Sequence, residues 1–457
     1  MASLSDIGQA GNVTIKAFKS VNLTGNPTAI FADAEQGNGG NLLIDTPQLS
    51  VKEGAQISTS TFGEGQAGNI EIIADSILLS GFPESGAGDG NRSGIFVSTQ
   101  SGSAGDAGEL VINSDSLIIE NGARISANTR GPGQGSKVTL NLERLVVQTG
   151  GEIGAGSLVN EDADDNKRGN GGTLNINASD SIEIIGTNNI NDEAVNSRIF
   201  TLAEGTGNAG ELNISTSQLT IVGSGEINAS STGTGAAGTL KINADNIDLE
   251  QGFLKATTVT GAGGNIELIV AENLALKNNS LISAAAVDAD GGNITIVSGF
   301  ILGFPSEGLG SDIRTNAVVG RGGDINILTQ GVLGFEVSRG TEGISNDTND
   351  IDASSQTRGL DGQVTISSPD TNPLQGANRL PTNPVSADAI ASDSCSADGG
   401  KAQLIIKGKG GITPEPTTIL TADVLVPDGN PITVEREITP NSLLPEKTEQ
   451  EQENLDY

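Results

Sequence analysis

Apolar residues recur along this chain in short alternating runs, each bounded by glycine, asparagine, aspartate or serine. The commonest run has two small residues, a polar residue, an aliphatic residue, any residue and a second aliphatic residue, as in Gly39-Gly40-Asn41-Leu42-Leu43-Ile44. Alternation of this kind between turn-forming residues predicts β-strands. Because no window keeps the i, i+3, i+4, i+7 spacing of an amphipathic helix, the pattern predicts an all-β protein.

This motif repeats at a nearly constant period, such as the 28 residues that separate Gly40 from Gly68, and some copies carry insertions. A fixed period of this length is typical of a solenoid, in which equivalent residues of successive coils stack in columns. We expect one inward-facing column from the first aliphatic residue of each copy. Its members are Val13, Leu42, Ile70, Leu110, Val138, Leu174, Leu212, Leu240, Ile266, Ile294, Ile325 and Val364.

Each repeat holds two further apolar segments, such as Leu49-Ser50-Val51 and, after a turn, the small-residue segment Ile57-Ser58-Thr59. Three short strands per repeat predict three parallel sheets around a shared interior, and parallel crossovers are right-handed. The sequence therefore predicts a right-handed parallel β-helix of about twelve coils over residues 1–368. Its glycines supply either positive-φ turns or room for a tight corner. Lys241 and Glu267 fall in one register on successive coils, so we expect their charges to attract.

The composition suits a thin aliphatic interior and excludes several functions. Of 457 residues 64 are glycine, 35% are hydrophobic and only 2% are aromatic, which excludes both wholesale disorder and several ordinary globular cores. The absence of histidine and the single cysteine exclude histidine-based catalysis, histidine metal sites and internal disulfides. A net charge of −33 disfavours nucleic acid, and no apolar stretch is long enough to span a bilayer.

Two acidic segments are candidate calcium sites, because Ca²⁺ prefers six to eight oxygen ligands. The stronger candidate comprises Glu161, Asp162, Asp164 and Asp165. The spacing is not that of an EF-hand, and a simply solvated acidic loop is the alternative. Asp288 and Asp290 form a weaker candidate. The glycine-rich strings lack the strand–loop–helix context of a phosphate site, so the sequence predicts no cofactor.

Insertions in the longer repeats are candidates for a binding face, since such loops protrude from one edge of a solenoid. They cover residues 82–91, 154–169, 187–195, 303–310 and 338–352, and neutral insertion is the alternative interpretation. Parallel β-helices also house polysaccharide lyases and hydrolases, which need carboxylates clustered on one face. Here no aspartate is expected to recur in register on adjacent coils, and Arg198, Arg314 and Arg321 have no evident carboxylate trio beside them. We therefore expect no catalytic residues and no enzyme.

Several segments resemble the filamentous-haemagglutinin-like, two-partner-secretion exoproteins of cyanobacteria, and the resemblance covers almost the whole chain. In the repeats they are 54–63, 68–72 and 122–127. Towards the C-terminus they are 332–336, 349–355, 362–366, 379–381, the lone Cys395 and 408–414. The resemblance implies a secreted or cell-surface β-helix that is exported by an outer-membrane transporter and acts in adhesion, its ligand being a surface carbohydrate or a protein.

The family's N-terminal secretion domain carries Asn-Pro-Asn-Gly motifs, and this sequence has none. Residues 1–6 also lack the basic and apolar regions of a secretory signal. We therefore expect this chain to be the C-terminal part of a longer exoprotein, through a split gene or a misplaced start. A structural surface-layer or spacer protein without a ligand is the alternative function.

A change of composition near Pro369 predicts a second region. Residues 369–435 are proline-rich, with strands expected at 404–406 and 419–426 that cap the last coil. Residues 436–457 are predicted to form an acidic disordered tail. Cys395 is interpreted as an inert thiol, with an intermolecular disulfide or a covalent anchor as the alternative.

Overall fold

The computed structural model describes residues 9–81, 92–99, 103–158, 168–190, 193–304, 310–338 and 348–368, together with 424–425 and 431–432. The chain divides into two compact units, Met1–Leu374 and Gln375–Tyr457. All regular structure in the described residues is β-strand, as the alternation predicts.

Two parallel sheets contain most of the strands. In order of hydrogen-bonded neighbours, the first sheet contains β1 (Val13–Lys16), β4 (Leu42–Asp45), β7 (Ile70–Ser80), β9 (Leu110–Glu120), β11 (Lys137–Gln148), β13 (Thr173–Ile185), β17 (Leu212–Val222), β19 (Thr239–Glu250), β21 (Asn265–Lys277), β23 (Ile294–Gly303), β25 (Ile325–Leu333) and β28 (Val364–Ser367). Strands β2 (Ser20–Thr24) and β5 (Gln48–Lys52) pair beside them, and β5 also pairs with β7.

The second sheet contains shorter strands. They are, in the same kind of order, β3 (Ala29–Phe31), β6 (Gln56–Ser58), β8 (Gly94–Phe96), β10 (Arg124–Ser126), β12 (Glu152–Gly154), β16 (Arg198–Phe200), β18 (Glu226–Asn228), β20 (Phe253–Lys255), β22 (Leu281–Ser283), β24 (Asp312–Arg314), β27 (Asp350–Asp352) and β26 (Glu336–Ser338). From β7 to β25, each long strand of the first sheet is followed along the chain by a short strand of the second sheet, and neighbouring strands within each sheet are parallel. The unit therefore has a parallel β-helix-like repeat fold.

Two antiparallel hairpins lie outside these sheets. Strands β14 (Thr187–Ile190) and β15 (Glu193–Asn196) form the first, within the predicted insertion 187–195. Strands β29 (Val424–Leu425) and β30 (Pro431–Ile432) form the second, and β29 falls in the strand expected over 419–426. The expected strand at 404–406, Cys395 and the predicted tail 436–457 lie outside the described residues.

The predicted inward column is confirmed. Each member is the register partner of the next, from Val13 opposite Leu42 to Ile325 opposite Val364. The members between the two ends are at most 2% exposed, whereas Val13 and Val364 are half-buried. Aliphatic side chains from successive coils therefore form one continuous buried core, stacked at the spacing of about 4.8 Å that neighbouring parallel strands have.

The prediction of three short strands per coil holds only for the first two coils. From β7 to β25 the first two apolar segments join into one strand of 9 to 13 residues. One residue at the join is left out of the pairing, and in the pairs that involve β13 or β21 the register also shifts there, for instance between Leu142 and Arg144 of β11 opposite β13. The sequence pattern predicts two separate strands here, because polar residues such as Glu143 interrupt the alternation at the bend.

Glycines serve two separate purposes in this fold. The motif glycine Gly210 does not need a positive φ, but a Cβ there would collide with the carbonyl oxygen of Gly172 in the neighbouring coil. Positive φ occurs instead in the turns before the second sheet, at pairs such as Asn121 (54°) and Gly122 (79°). Close approach of backbones therefore explains the motif glycines, and left-handed turns explain the others.

The polar position of the motif joins successive coils. The side-chain oxygen of Asn12 accepts a hydrogen bond from the backbone N–H of Asn41 at 2.8 Å, and that of Asn41 accepts from Asn69 at 3.0 Å. The expected pairing of Lys241 with Glu267 is confirmed at 3.9 Å. Both side chains of this ion pair are about half exposed, so it adds little to stability.

Candidate ligand-binding groove

An open groove of about 740 Å³ runs along the outside of the first sheet, where six neighbouring long strands bend. The strands are β7, β9, β11, β13, β17 and β19, and each contributes three consecutive residues. The middle residue of each triplet turns inward, and the outer two line opposite sides of the groove. Because the groove crosses the strands, it follows the direction in which the coils stack.

One side of the groove is an amide row, formed by Asn113, Asn141, Asn177 and Asn243, with Ile73 and Ser215 in the same register. The Nδ2 of Asn141 donates to the Oδ1 of Asn113 at 2.9 Å, and the Nδ2 of Asn177 donates to the Oδ1 of Asn141 at 3.1 Å. A side-chain amide has two N–H groups and two acceptor positions. The middle member, Asn141, therefore keeps one donor and one acceptor for a ligand.

The opposite side is a carboxylate row. Its members are Asp75, Asp115, Glu143 and Asp245, with Ser179 and Ser217 completing the six positions. All four acidic residues are exposed, and within the described part of the chain their carboxylates have neither hydrogen bonds nor ion pairs. The neighbouring Arg144 is engaged by Glu183 at 2.6 Å, and no basic residue is among those that line the groove. The groove thus carries uncompensated negative charge.

The floor has no free polar side chains to offer a ligand among the described residues. Its residues are Ala74, Ser114, Leu142, Ala178, Thr216 and Ala244, each at most 9% exposed. The hydroxyl of Ser114 donates to the backbone oxygen of Asp75 at 3.2 Å, and that of Thr216 donates to the backbone oxygen of Gln218 at 3.3 Å. Because the floor residues point inward and are buried, the amide and carboxylate rows provide the polar contacts for a ligand.

A second polar cluster lies on the second sheet around Glu152, which is 5% exposed. One carboxylate oxygen pairs with Arg92, itself 5% exposed, and the other with Arg198 at 2.8 Å. The guanidinium of Arg198 also lies 4.5 Å from the centre of the Phe200 ring. Because both carboxylate oxygens are occupied and the group is buried, this cluster has no free face for a substrate.

The expectation that no aspartate recurs in register is wrong at Asp312 and Asp350, which are direct partners on β24 and β27. Arg314, expected to have no carboxylate trio beside it, pairs with Asp312 at 3.2 Å and lies opposite Asp352. The register of Asp312 with Asp350 was not evident from the sequence, because the insertion 338–352 places Asp350 far along the chain from Asp312. Asp350 and Asp352 are 6% and 2% exposed, so the cluster does not present two accessible carboxylates.

We expect Asp312→Asn to raise the free energy of unfolding at neutral pH. Burial raises the pKa of the Asp312 carboxyl, and with the nearby carboxylates of Asp350 and Asp352 it outweighs the lowering effects of Arg314 and of the Asp350 backbone N–H. The folded state therefore binds the proton more tightly than the unfolded chain, so stability falls as pH rises from 3.8 through the raised pKa.

Denaturant titrations of both proteins at a series of pH values test this. The advantage of the variant is expected to shrink as the pH approaches 4, where the wild-type carboxyl takes up its proton. A variant that is less stable than wild type at pH 7 would show that the ion pair with Arg314 dominates instead.

The other residues singled out from the sequence do not form a site in the described structure. Glu161, Asp162, Asp164 and Asp165 lie outside the described residues. Asp288 is exposed, and the Oδ1 of Asp290 accepts from the backbone N–H of Arg321 at 2.8 Å. Where the structure describes the chain, no three acidic or cysteine side chains are grouped closely enough to bind a metal ion.

Sequence reasoning missed the groove because its residues lie in the polar bends between two apolar segments. The signal was a recurrent asparagine followed two residues later by an acidic residue, as in Asn113 with Asp115 and Asn141 with Glu143. The two asparagines are 28 residues apart, so only the coil register brings them into contact.

Searches of protein-family models, curated proteins and solved structures find no match for this chain. Among the described residues, no helix has the length and apolar character needed to cross a membrane. The class that the fold defines is a parallel β-helix-like repeat protein with a polar groove across six neighbouring strands of its first sheet.

Proposed function

We propose that this chain is the shaft of a secreted or cell-surface adhesin of the filamentous-haemagglutinin type, without enzymatic activity of its own. The proposed shaft is a right-handed β-helix of about twelve coils over residues 1–368, followed by a cap region and an acidic tail. It belongs to a longer exoprotein that an outer-membrane two-partner-secretion transporter exports. The sequence segments that resemble this family support the proposal, and so does the repeat fold.

The observation that carries adhesion is the groove with its two exposed polar rows. A spacer needs stacked coils but has no use for a channel with four asparagines on one side and four carboxylates on the other. An enzyme needs a converging pair of acid and base groups, whereas these rows repeat the same groups along a line. A repeated surface suits binding of a repeated ligand.

Localisation tests the proposal most directly. Cells that express the gene are fractionated and blotted for this chain, and we expect a signal at the surface or in the medium above the 46.2 kDa of the chain itself. Purified chain is then expected to compete with those cells for attachment to their natural surface. A cytoplasmic band near 46.2 kDa and no competition would refute the adhesin proposal.

A further inference from the structure

We infer that the groove binds one extended, β-linked glycan chain with free amino groups, which lies along the stacking direction with one sugar against each strand. This inference rests on the proposed adhesive function and names the class of its ligand. It is carried by three properties of the groove: the spacing of its rows, the chemistry of its two sides and the sign of its charge.

The spacing favours a sugar polymer over a peptide. Neighbouring parallel strands lie about 4.8 Å apart, so a ligand along the groove meets a new pair of lining residues at that interval, and on β9, β11 and β19 that pair is an asparagine and an acidic residue. A pyranose in an extended β-linked chain advances by a similar length, so one sugar lies opposite each strand, and every second sugar turns the same edge to the carboxylate row. An extended peptide advances about 3.3 Å per residue and falls out of step within a few coils.

The amide row matches the hydroxyl groups of such a chain. A sugar hydroxyl both donates and accepts, and Asn141 retains one N–H and one acceptor position beyond its contacts with Asn113 and Asn177. Since hydrogen bonds join the amides of Asn113, Asn141 and Asn177, little freedom of these side chains is lost when the ligand binds.

The carboxylate row selects amino groups. Asp115 and Glu143 come from neighbouring strands, and Asp75 and Asp245 extend the row towards both ends. An ammonium group opposite a carboxylate makes a charge-assisted hydrogen bond. A sulfated or uronic-acid chain would instead bring like charge into a groove without basic residues, on a chain of net charge −33.

The lining contains no aromatic ring for a sugar to stack on. Each sugar therefore contributes weakly, and affinity accumulates along the chain as linked units bind together. The gain in affinity ends when the glycan is long enough to contact every strand that lines the groove.

Calorimetric titration of the full chain with glucosamine oligomers of two to eight units tests the inference. We expect the Kd to fall with each added sugar up to six units, the number of lining strands, and then to level off. N-acetylated oligomers of the same length, which lack the ammonium groups, are expected to bind about tenfold more weakly.

The variant that tests the site is Asp115→Asn combined with Glu143→Gln, which removes two charges and retains side-chain size. We expect it to bind the six-unit oligomer about tenfold more weakly than wild type. The matched control is Glu64→Gln combined with Glu211→Gln, which removes two exposed charges outside the groove and is expected to bind like wild type. Circular dichroism and thermal melting verify that both variants fold.

Three results would overturn the inference: a Kd independent of oligomer length, equal losses in the two double variants, or lysine oligomers that bind as tightly as glucosamine oligomers. The third would mean attraction of any polycation. Absence of glycan binding in a chain that reaches the cell surface and competes for attachment would overturn this inference alone. Absence of the chain from the surface would instead overturn the proposed function.

Discussion

Gly210→Val is expected to lower the free energy of unfolding by about 3 kcal/mol or more. A Cβ at this position would collide with the carbonyl oxygen of Gly172 and lie 3.0 Å from the carbonyl carbon of Gly171. Both atoms belong to the backbone of the neighbouring coil, so no side chain can rotate away and the coils must separate. Denaturant titration followed by circular dichroism measures the loss.

The control for this substitution is Gly186→Ala. Gly186 has a φ of +70° and no atom within 4 Å of an added Cβ, so only backbone strain of about 1–2 kcal/mol is expected. Equal losses at the two positions would contradict the role of close approach at Gly210. Gly210→Ser is expected to lose less than valine, because Ser136 occupies the equivalent position in its own coil and donates its hydroxyl to the carbonyl of Gly108.

Glu152→Ala is expected to lower the free energy of unfolding by about 3–5 kcal/mol. The substitution removes the carboxylate that pairs with the guanidinium of Arg92, which is 5% exposed. It also removes the partner of Arg198 at 2.8 Å. Thermal melting and denaturant titration are the measurements.

A matched control is Glu109→Ala, which breaks the 2.9 Å ion pair with Lys137 on the surface. Both of those side chains are well exposed, so we expect a change within about 1 kcal/mol. The double variant Arg92→Met with Glu152→Leu is expected to recover most of the stability, since apolar side chains then replace both buried members of the pair. If the single and double variants lost the same stability, the broken pairing of Arg92 with Glu152 would not be the cause.

Much of the fold was predictable because stacked coils repeat their chemistry. The column from Val13 to Val364 follows from a motif that recurs with the same order of small, polar and aliphatic residues. The pairing of Lys241 with Glu267 follows from the same register. The merged strands were not predictable, since the alternation shows a polar bend in the same way as a true loop, as at Glu143.

The groove was less predictable than the coils. A single Asn113 or Asp115 is an ordinary exposed residue, and neither differs locally from the turn residues elsewhere in the repeats. Stacking of the coils makes Asn113 part of a row, because its side chain then lies within hydrogen-bonding distance of Asn141, which in turn contacts Asn177. The acidic segment that includes Glu161, by contrast, was identifiable as a candidate from the sequence, because its charges are adjacent in the chain.

The sequence by itself determined the all-β class, the repeat, the inward aliphatic column and the exclusion of histidine and disulfide chemistry, because these depend on residue type and on local periodicity. Only the tertiary structure decided which glycines lie against a neighbouring backbone, which carboxylates are buried beside arginine and which polar residues line a common groove. These features depend on contacts between residues that are 28 or more positions apart, and such contacts exist only once the coils are stacked in register.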